Sequence, residues 1–327
     1  MTVSARRSAL VIDANNLISR AIFASALDDL RAGGRFTGGV FGALGSLRSI
    51  LTNPIMLGVG AIYAFFDNGV PRHRMRALPD YKRSRREKRE QMSEEERVKA
   101  LGQIVKCYEI WPSLGVCCLS YRNREADDGV AAAVRVLLDE GVQPIVVTSD
   151  RDLFQTVQWG AEVYDLRTQE LIDDKSFEQH SEGVPMDRWL LYRALVGDDS
   201  DGIKGAPGCG PKRARQLMLE SEFADDWTPE RQLSYLCASL REQHGAKKLR
   251  AFEQSVVDHE DHLKKVLSAI SLRDSFGPTL KLSERMRQLP EVRKREFLLH
   301  CRDLQFNSIL GDPSGTIDPF LAAQSRR

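Results

Sequence analysis

Short apolar runs alternate with longer polar stretches over the first part of the chain. The run Ser8–Asp13 ends on a carboxylate, and the stretch after it has a helical period to about Ala26. Asn15 or Asn16 could cap this helix. Three more apolar runs follow, at residues 61–66, 116–119 and 144–148. Short apolar strands separated by helices are buried on both faces, so the pattern predicts an α/β fold with a mostly parallel sheet flanked by helices.

Helical patterns fill the intervals between these runs. A glycine-rich stretch over residues 33–45 leads into an apolar helix that ends near Asn53. Ser93 and Glu96 form a capping-box pattern, which predicts a helix that reaches about Ile110. A further helix is expected over residues 125–140, after the third apolar run.

The strand pattern stops at about residue 185, and helical periods take over. Thr228 followed by Pro229 is typical of an N-cap with proline at the first helical position. Residues 311–327 are rich in proline, glycine and serine and are expected to form a flexible tail. The pattern therefore predicts a sheet domain over residues 1–200, a helical region over residues 201–310, and the tail.

Charge is unevenly distributed, although the formal net charge is only +1. The segment from residue 71 to residue 90 is strongly basic and contains Arg72, Arg74, Arg76, Lys82, Arg83, Arg85, Arg86, Lys88 and Arg89. A protein whose basic and acidic residues are separated can bind a phosphate backbone in one place and metal ions in another.

Composition limits the class of protein. No apolar run approaches the ~20 residues that a bilayer span needs. The six cysteines show no CxxC spacing, so they are interpreted as reduced, buried thiols rather than a disulfide framework. We therefore expect an intracellular, cytoplasmic protein that does not contact a membrane.

Acidic residues recur where the predicted strands end. Ligands bind at the carboxyl ends of the strands in an open parallel sheet, so we expect these side chains to share one site. The candidates are Asp13, Asp67, Glu125, Asp127, Asp128, Asp150, Asp152, Asp198 and Asp201. Two like charges ~4 Å apart repel by roughly 4 kcal/mol at an effective dielectric constant of ~20, so either most of them are protonated or cations lie among them.

The ligand chemistry of such a cluster favours particular metal ions. Oxygen ligands without histidine or thiolate select Mg²⁺ or Mn²⁺ over Zn²⁺. A pair of these ions ~3.5–4 Å apart is the recurrent arrangement for hydrolysis of a phosphodiester, because one ion activates water and the other stabilises the leaving oxygen. The cluster therefore predicts two Mg²⁺ ions, which Mn²⁺ could replace.

Five sequence motifs resemble, in order and spacing, those of the 5′-nucleases, which include the bacteriophage flap endonucleases and the 5′→3′ exonuclease domain of bacterial DNA polymerase I. The motifs are Phe66-Asp67-Asn-Gly69 with Arg76, Leu78-Pro-Asp-Tyr81-Lys82 and Arg85; Glu125-Ala-Asp127-Asp128; Thr148-Ser-Asp150-Arg-Asp152-Leu-Phe-Gln155; Val196-Gly-Asp198-Asp-Ser-Asp201-Gly202-Ile203; and Gly205-Ala-Pro-Gly208-Cys-Gly210-Pro-Lys212-Arg-Ala214. Gly202 and Lys204 stand where the family more often has asparagine and proline. The resemblance extends from Leu10 to about Leu219.

The resemblance implies a PIN-like domain with a helical arch over residues 68–112 and a helix–hairpin–helix (H3TH) motif at about residues 202–221. It also implies a Mg²⁺-dependent, structure-specific 5′-nuclease, acting as a 5′→3′ exonuclease or flap endonuclease on DNA in replication or repair. RNA primers remain open as a substrate. The first metal position would be served by Asp13, Asp67, Glu125 and Asp127, together with Asp128, and the second by Asp150, Asp152, Asp198 and Asp201.

The resemblance extends to the substrate and to other partners. We expect DNA with a 5′ flap, a nick or a free 5′ end, or an RNA–DNA hybrid, bound by a monomer. A single-stranded-DNA-binding protein or a polymerase is the candidate protein partner. The H3TH loop of the family also holds K⁺ through carbonyl oxygens. No polymerase domain follows the motifs in this sequence, so we expect a freestanding nuclease.

Roles in DNA contact follow from the same motifs. Lys82 and Arg85 are candidate catalytic residues that would contact the scissile phosphate and offset its developing charge. In the arch, phosphate contacts are expected from Arg72, Arg76, Arg83 and Arg86, and base stacking from Tyr81. In the hairpin, contacts to the duplex backbone are expected from Gly205, Gly208, Gly210, Lys212 and Arg213.

Three other functions are compatible with parts of the sequence. A haloacid-dehalogenase-type phosphatase would explain the strand before Asp150 and Asp152, but that motif belongs near the start of such a domain. A small PIN-type ribonuclease would lack the arch and the glycine hairpin. A non-catalytic binder of DNA junctions would not need all the acidic positions. The pair His259 and His262 is interpreted as part of an exposed helix face, because no third ligand lies nearby in the sequence.

Overall fold

A six-stranded sheet lies at the centre of the molecule. The structure is a computed structural model that describes residues 7–24, 27, 30–246, 248–273 and 280–327. In chain order its strands are β1 (Ser8–Asp13), β2 (Arg31–Ala32), β3 (Arg35–Phe36), β4 (Val59–Phe66), β5 (Cys117–Ser120), β6 (Gln143–Thr148), β7 (Glu162–Asp165), β8 (Glu170–Ile172), β9 (Gly197–Asp198) and β10 (Ile203–Lys204). The sheet has the order β5-β4-β1-β6-β7-β8, and only the β7–β8 pair is antiparallel. The predicted mostly parallel sheet is confirmed.

Burial of the central strand on both faces explains this arrangement. Alternate side chains of β1 point into two different apolar cores, with Ala9 and Val11 in one and Leu10 and Ile12 in the other. All four are fully buried. A strand covered on both faces needs no polar alternation, and helices must therefore pack on each side of the sheet.

The helices follow the strands closely. In chain order they are α1 (Ala14–Ile22), α2 (Gly38–Thr52), α3 (Arg72–Ala77), α4 (Arg83–Gln91), α5 (Glu94–Arg97), α6 (Gln103–Ile110), α7 (Ala126–Asp139), α8 (Phe177–His180), α9 (Trp189–Val196), α10 (Pro211–Glu220), α11 (Pro229–Ala246), α12 (Ala251–Asp258), α13 (Glu260–Ile270), α14 (Leu280–Met286), α15 (Lys294–Asp303), α16 (Asn307–Gly311) and α17 (Ser314–Gln324). A 3₁₀ helix covers Arg151–Trp159 directly after β6.

The four strands expected from the apolar runs are present to within two residues. The sequence pattern missed β7 and β8, which extend the sheet at one edge. These strands are only four and three residues long and carry Glu162, Asp165 and Glu170. Their mixed polarity produces neither a continuous apolar run nor a clear alternation, so no strand signal is visible in the sequence.

The cap of α1 differs from the prediction. Asp13, not Asn15 or Asn16, is the N-cap, and its carboxylate accepts the backbone N–H of Asn16 at 3.1 Å. The side chain of Asn16 instead accepts hydrogen bonds from the N–H and hydroxyl of Ser149 (3.0 and 2.8 Å), and Asn15 accepts from the N–H of Asp67 at 2.9 Å. The asparagines thus join the ends of neighbouring strands. The helix ends at Ile22, so the predicted extension to about Ala26 is too long, and Ala26 itself lies outside the described residues.

The capping-box helix is present but is not a uniform α-helix. Ser93 Oγ accepts the N–H of Glu96 at 3.2 Å, and the Glu96 carboxylate accepts the N–H of Ser93 at 2.7 Å. A π-helical segment, Val98–Gly102, then connects α5 to α6. The helix at Pro229 also begins as expected, since Thr228 Oγ1 accepts the N–H of Arg231 at 3.3 Å.

The predicted flexible tail is wrong. Residues 314–324 form α17, which packs against α2 and β4. Ile317 and Phe320 of this helix are buried in the same core as Leu10. Pro313 is the N-cap and Gly315 lies in the first turn, but Pro319 lies inside the helix, so the proline and glycine content concealed an apolar helical face.

Two expectations drawn from composition concern the cysteines and the possibility of a membrane-spanning helix. All six cysteines are free, and five are buried while Cys118 is half-buried. Among the helices that the structure describes, none has both the length and the hydropathy required to cross a membrane.

Candidate active site

The strand ends bring acidic side chains from distant parts of the chain to one edge of the sheet. Asp13 ends β1, Asp67 follows β4, Asp150 follows β6, and Glu125 and Asp127 lie at the start of α7, after β5. These strands are parallel, so their carboxyl ends share an edge. All five side chains line one cavity of about 890 Å³.

A second cavity of about 260 Å³ adjoins the first, and Asp150, Asn16 and Arg85 line both. Asp198, the last residue of β9, and Asp201, in the turn between β9 and β10, line the second cavity. Seven of the nine carboxylates predicted to converge therefore do so. The other two are Asp128 and Asp152, which line neither cavity.

Asp128 lies in the interior, and its carboxylate contacts protein groups. Its side chain is completely inaccessible to solvent and accepts Arg74 Nη2 at 2.9 Å and the N–H of Glu125 at 3.2 Å. His73 Nε2 lies 3.5 Å from the same carboxylate. Asp128 therefore belongs to the base of the site rather than to its open surface.

Arg74 is the main residue that sequence reasoning missed. It is 3% exposed, and its guanidinium contacts Glu125 and Asp127 at 2.7 Å as well as Asp128. It was assigned only to the basic block, because nothing in a single sequence distinguishes it from Arg72 and Arg76. Arg74 is buried against Tyr81 and the start of α7, whereas those two arginines are exposed.

Lys82 and Arg85 reach the site from the start of α4. Lys82 Nζ lies 2.6 Å from Glu125 Oε1 and 3.4 Å from Asp201 Oδ2, so one ammonium group bridges two acidic segments. Its backbone is in the left-handed region (φ 51°), and its N–H donates to the Asp201 carbonyl at 2.6 Å. Arg85 Nη2 lies 2.8 Å from Asp201 Oδ1, and its side chain is 47% exposed.

Arg193, on α9, is a second internal cation that the sequence did not reveal. Its Nε donates to Asp152 Oδ1 at 2.9 Å, and its Nη2 donates to Asp198 Oδ2 at 3.0 Å. Its side chain is 13% exposed and also lines the second cavity. Arg193 therefore joins two of the carboxylates assigned to the second metal position.

The internal cations balance only part of the negative charge. Burial would raise the pKa of Glu125, but Lys82 and Arg74 hold it below its usual value. By contrast, burial raises the pKa of Asp13 well above its usual range, and Asp67 raises it further. Burial and Asp152 raise the pKa of Asp150, and burial also raises that of Asp127, although Arg74 opposes the shift. Burial and the neighbouring carboxylates both disfavour the charged form of these groups, so these pKa values are raised.

The donor set fits hard divalent cations. The metal-ligating side chains that line the cavities are carboxylates, whose oxygens Mg²⁺ and Mn²⁺ prefer, and added positive charge would lower the raised pKa values. Within the described ranges, no three acidic, histidine or cysteine side chains already form a complete set of metal ligands. Several of the oxygens instead contact Arg74, Lys82, Arg85 and Arg193.

The helices beside the first cavity present two different surfaces. Arg85, Arg86 and Arg89 of α4 line one part of it, and Leu101 and Val105 line another. Leu101 and Val105 are 53% and 56% exposed. A basic surface and an apolar surface thus flank the acidic groups of the cavity.

The predicted arch residues do not all have the expected environment. The proposal that Tyr81 stacks on a base is contradicted, since its ring is 3% exposed and its hydroxyl donates to Glu125 Oε2 at 2.8 Å. Tyr81 is instead part of the support for the acidic cluster. The Arg83 guanidinium pairs with Glu87 at 2.9 Å and Asp80 at 3.2 Å. The Arg86 guanidinium donates to the carbonyls of Tyr81 and Pro79.

The glycine-rich segment forms an exposed loop before α10. Gly208 has a φ of +76°, and Gly208 and Gly210 are exposed, as are Lys212 and Arg213 on the first turn of α10. Arg213 Nη1 donates to the Gly208 carbonyl at 2.6 Å. Gly205 serves a different purpose from the one expected, because a Cβ there would lie 2.1 Å from the Leu195 carbonyl oxygen. Close packing against α9, rather than an approach to phosphate, explains this glycine.

Comparison with known proteins gives a family match over the sheet region. Residues 8–182 match the 5′-3′ exonuclease, N-terminal resolvase-like domain. DNA polymerase I of Deinococcus radiodurans is 38% identical over 119 residues, which are 36% of this chain and 12% of that protein. Thermostable DNA polymerase I of Thermus aquaticus is 27% identical over 250 residues, which are 76% of this chain and 27% of that protein. The chain thus matches only a small part of the length of these relatives.

Solved structures share the fold at low sequence identity. The 5′-exonuclease of T5 with bound zinc superposes with a TM-score of 0.66 and 18% identity, covering 88% of this chain and all of that one. The catalytic core of Rad2 in complex with DNA gives a TM-score of 0.53 and 16% identity, covering 97% of this chain and 94% of that one. At these identities the likeness establishes a common fold.

Proposed function

The chain belongs to the 5′-3′ exonuclease family through its N-terminal resolvase-like domain, and on this basis we propose that it is a structure-specific 5′-nuclease. It would hydrolyse DNA phosphodiesters at a free 5′ end or a 5′ flap, in replication or repair. The observation that carries the proposal is the convergence of seven carboxylates on two adjoining cavities, beside Lys82 and Arg85. The matched polymerases and the T5 and Rad2 proteins support the same class of activity.

Divalent metal ions are the cofactors that this donor set fits, and we propose Mg²⁺. Asp13, Asp67, Glu125 and Asp127 would hold one ion, and Asp150, Asp198 and Asp201 would hold the other. Asp152, which lines neither cavity but shares Arg193 with Asp198, would be the fourth ligand of the second ion. Asp128 is omitted from the proposed ligands because its carboxylate is inaccessible and bound to Arg74. When bound, the ions would supply an activated water and stabilise the leaving oxygen.

The protein's own groups would position the phosphate. Lys82 and Arg85 are the cations of α4 that reach the carboxylates, and Arg85 is half-exposed in the region where the two cavities meet. A phosphate entering the site would exchange their carboxylate contacts for contacts with its own oxygens. Their charge would then offset the charge that develops in the transition state. The basic and apolar surfaces beside the first cavity would suit a single strand, since they offer contacts to its phosphates and to its unstacked bases.

Duplex DNA would bind at the glycine-rich loop and the start of α10. The N-terminus of α10 has no side-chain cap, Pro211 has no N–H, and the N–H groups of Arg213 and Ala214 donate to the Gly210 carbonyl. The backbone N–H of Lys212 is therefore the candidate donor to a phosphate oxygen, and its side chain adds a positive charge. We propose that residues 202–221 function as an H3TH motif, with K⁺ held by carbonyl oxygens of the loop. The proposed organisation is a nuclease domain over residues 1–200, with the arch at residues 68–112, and a DNA-binding helical region over residues 201–310.

Cleavage of labelled DNA tests the proposal directly. A 5′-flap substrate incubated with Mg²⁺ should yield a product that EDTA abolishes, and comparison with nicked, blunt and RNA-primed substrates identifies the preferred end. Asp67→Asn, which alters a predicted metal ligand, serves as the inactive control. Binding of the flap without product at saturating Mg²⁺ or Mn²⁺ would favour a non-catalytic binder of DNA junctions instead.

A further inference from the structure

Arg74 differs from the other basic residues near the site because it is completely enclosed. Its guanidinium contacts three carboxylates from the first turn of α7, namely Glu125, Asp127 and Asp128, at 2.7, 2.7 and 2.9 Å. It also donates to the Tyr81 hydroxyl at 3.0 Å. Lys82 and Arg85, by comparison, have side chains that are 22% and 47% exposed.

The contacts of Arg74 fix individual oxygen atoms. Glu125 Oε2 accepts from both Arg74 and Tyr81, while Oε1 faces Lys82. Asp127 Oδ2 accepts from Arg74, while Oδ1 accepts the N–H of Asp128 at 2.7 Å. The side chains of Glu125 and Asp127 therefore have a defined orientation toward the first cavity, although three like charges lie within one helical turn.

The anchor of Arg74 is Asp128. Neither residue lines the cavities, and both are buried, so their interaction does not compete with a bound substrate. A guanidinium presents several N–H groups in a fixed plane, which allows it to contact three carboxylates at once, whereas an ammonium group is a compact point charge. A lysine at position 74 could restore the charge but not this set of contacts.

From this geometry we infer that Arg74 is a positioning residue for cleavage, which acts by orienting Glu125 and Asp127 and is itself held by Asp128. The inference rests on the proposed function, because it assigns Glu125 and Asp127 to metal binding. Arg74 would not touch DNA. Its removal would therefore alter the metal site and turnover while leaving the affinity for DNA intact.

The test uses the full chain with Arg74→Met and Arg74→Lys. Mg²⁺ or Mn²⁺ binding is measured by calorimetry without DNA, affinity for a 5′-flap substrate is measured in EDTA, and kcat and KM are measured in Mg²⁺. Groups that orient metal ligands typically contribute about 10- to 100-fold to metal affinity or activity, and we expect losses of that size in metal binding and kcat for both variants. Affinity for the flap should stay within about twofold of wild type.

A control and a compensated variant keep the test decisive. Arg135→Met removes a half-buried arginine from α7 that donates to the Leu272 carbonyl and lies over the Trp159 ring, and it should leave metal binding unchanged. If Arg74→Met fails to fold, Arg74→Met with Asp128→Asn removes the buried charge together with its anchor. That double variant should fold and still show low kcat and weak metal binding.

The outcomes separate the inference from the proposed function. Wild-type kcat and metal binding in Arg74→Lys would show that charge alone matters and would overturn the positioning role. Loss of DNA affinity with normal kcat would also overturn it, because it would indicate substrate contact. If wild type cleaves none of the substrates, the proposed function fails, whereas the calorimetric comparison still decides whether Arg74 orients metal ligands.

Discussion

The two halves of the acidic site are built differently. In the first half, Glu125 and Asp127 come from the start of α7, where the buried Arg74 contacts both, while Asp13 and Asp67 come from the ends of β1 and β4. The half around Asp152, Asp198 and Asp201 comes from separate segments, and Arg193 and the half-exposed Arg85 provide its cations. The part of the first half that comes from α7 is thus held by a buried cation, Arg74, that lines neither cavity. The second depends partly on α4, whose residues are also the proposed phosphate contacts.

Lys82 links the two halves, since it contacts Glu125 in the first and Asp201 in the second. A phosphate that draws Lys82 and Arg85 away would release Asp201 from two cations at once, but it would release Glu125 from only one, because Arg74 remains. We therefore expect the first half to keep its geometry throughout turnover. The second half should reorganise when substrate binds.

The largest effect is expected from removing a carboxylate of either half. Asp67→Asn or Asp150→Asn should lower kcat by about a thousandfold or more, because each removes a proposed ligand from a two-ion site. Affinity for the flap should be retained or increased, since each change also removes negative charge near the phosphate path. Single-turnover cleavage and binding in EDTA measure the two quantities.

Asp139→Asn provides the matched control for these changes. Asp139 is exposed at the end of α7 and lines neither cavity, so kcat should remain at the wild-type level. Weaker flap binding with normal turnover in Asp67→Asn or Asp150→Asn would contradict their assignment as metal ligands.

Removal of Lys82 or Arg85 should have an intermediate effect on kcat. The two effects should differ, because Lys82 contacts carboxylates of both halves and Arg85 contacts only the second half. Lys82→Ala should lower kcat by about a hundredfold, the scale of losing one group that stabilises transition-state charge. Arg85→Ala should lower it less, because Arg85 contacts only the second half and is half-exposed. In both variants kcat should fall more than KM rises. Equal losses of kcat in the two variants would show that the bridge made by Lys82 has no special importance.

The site residues that could be predicted are those whose position follows from the sequence pattern around them. Asp13, Asp67 and Asp150 were found because each follows an apolar run, and the parallel sheet brings the ends of those runs together. Arg74 and Arg193 were missed because the packing of helices brings their carboxylate partners to them. Asp128 is 54 residues from Arg74 along the chain, and Asp152 is 41 residues from Arg193. Tyr81 was misjudged for the same reason. A tyrosine in a basic segment suggests an exposed ring, but α3 and Glu125 enclose it.

The fold shows the same division between local and long-range information. The helix at Ser93 was predicted from its capping box alone, and the structure contains that box. The helix at residues 314–324 was missed, because only its packing on α2 and β4 reveals the function of Ile317 and Phe320. Composition alone indicated a loose tail there.

Removal of Arg193 should have a smaller effect, on stability and on the response to Mg²⁺, which tests whether it is the internal cation of the second half. Arg193→Met leaves Asp152 and Asp198 without their shared guanidinium, so the melting temperature in EDTA should fall. The corresponding loss in the free energy of unfolding should be about 1–3 kcal/mol, as for a partly exposed ion pair. Mg²⁺ should raise the melting temperature more in this variant than in wild type, because the ion replaces the missing charge. Differential scanning fluorimetry with and without Mg²⁺ measures both shifts.

Arg188→Met serves as the comparison for Arg193→Met. Arg188 donates to the Met218 and Ser221 carbonyls, lies over the Phe223 ring and pairs with Asp187, which lines neither cavity. Its loss should also lower the melting temperature, but Mg²⁺ should add no more stability than in wild type. An equal response of both variants to Mg²⁺ would show that Arg193 has no particular relation to the metal site.

The smallest effect is expected outside both halves, at the loop before α10. Lys212 is exposed on the first helical turn, and none of the hydrogen bonds or ion pairs found among the described residues occupies its ammonium group. Lys212→Ala should weaken duplex binding uniformly across sequences and reduce the slope of log K against log salt by about 1, because one phosphate contact is lost. The kcat at saturating substrate should not change, since the acidic site is intact.

Lys212→Arg keeps the charge and should keep both the affinity and the slope. A fall in kcat for Lys212→Ala would mean that the loop and the acidic site are coupled, and the distinction between docking and cleavage regions would have to be abandoned.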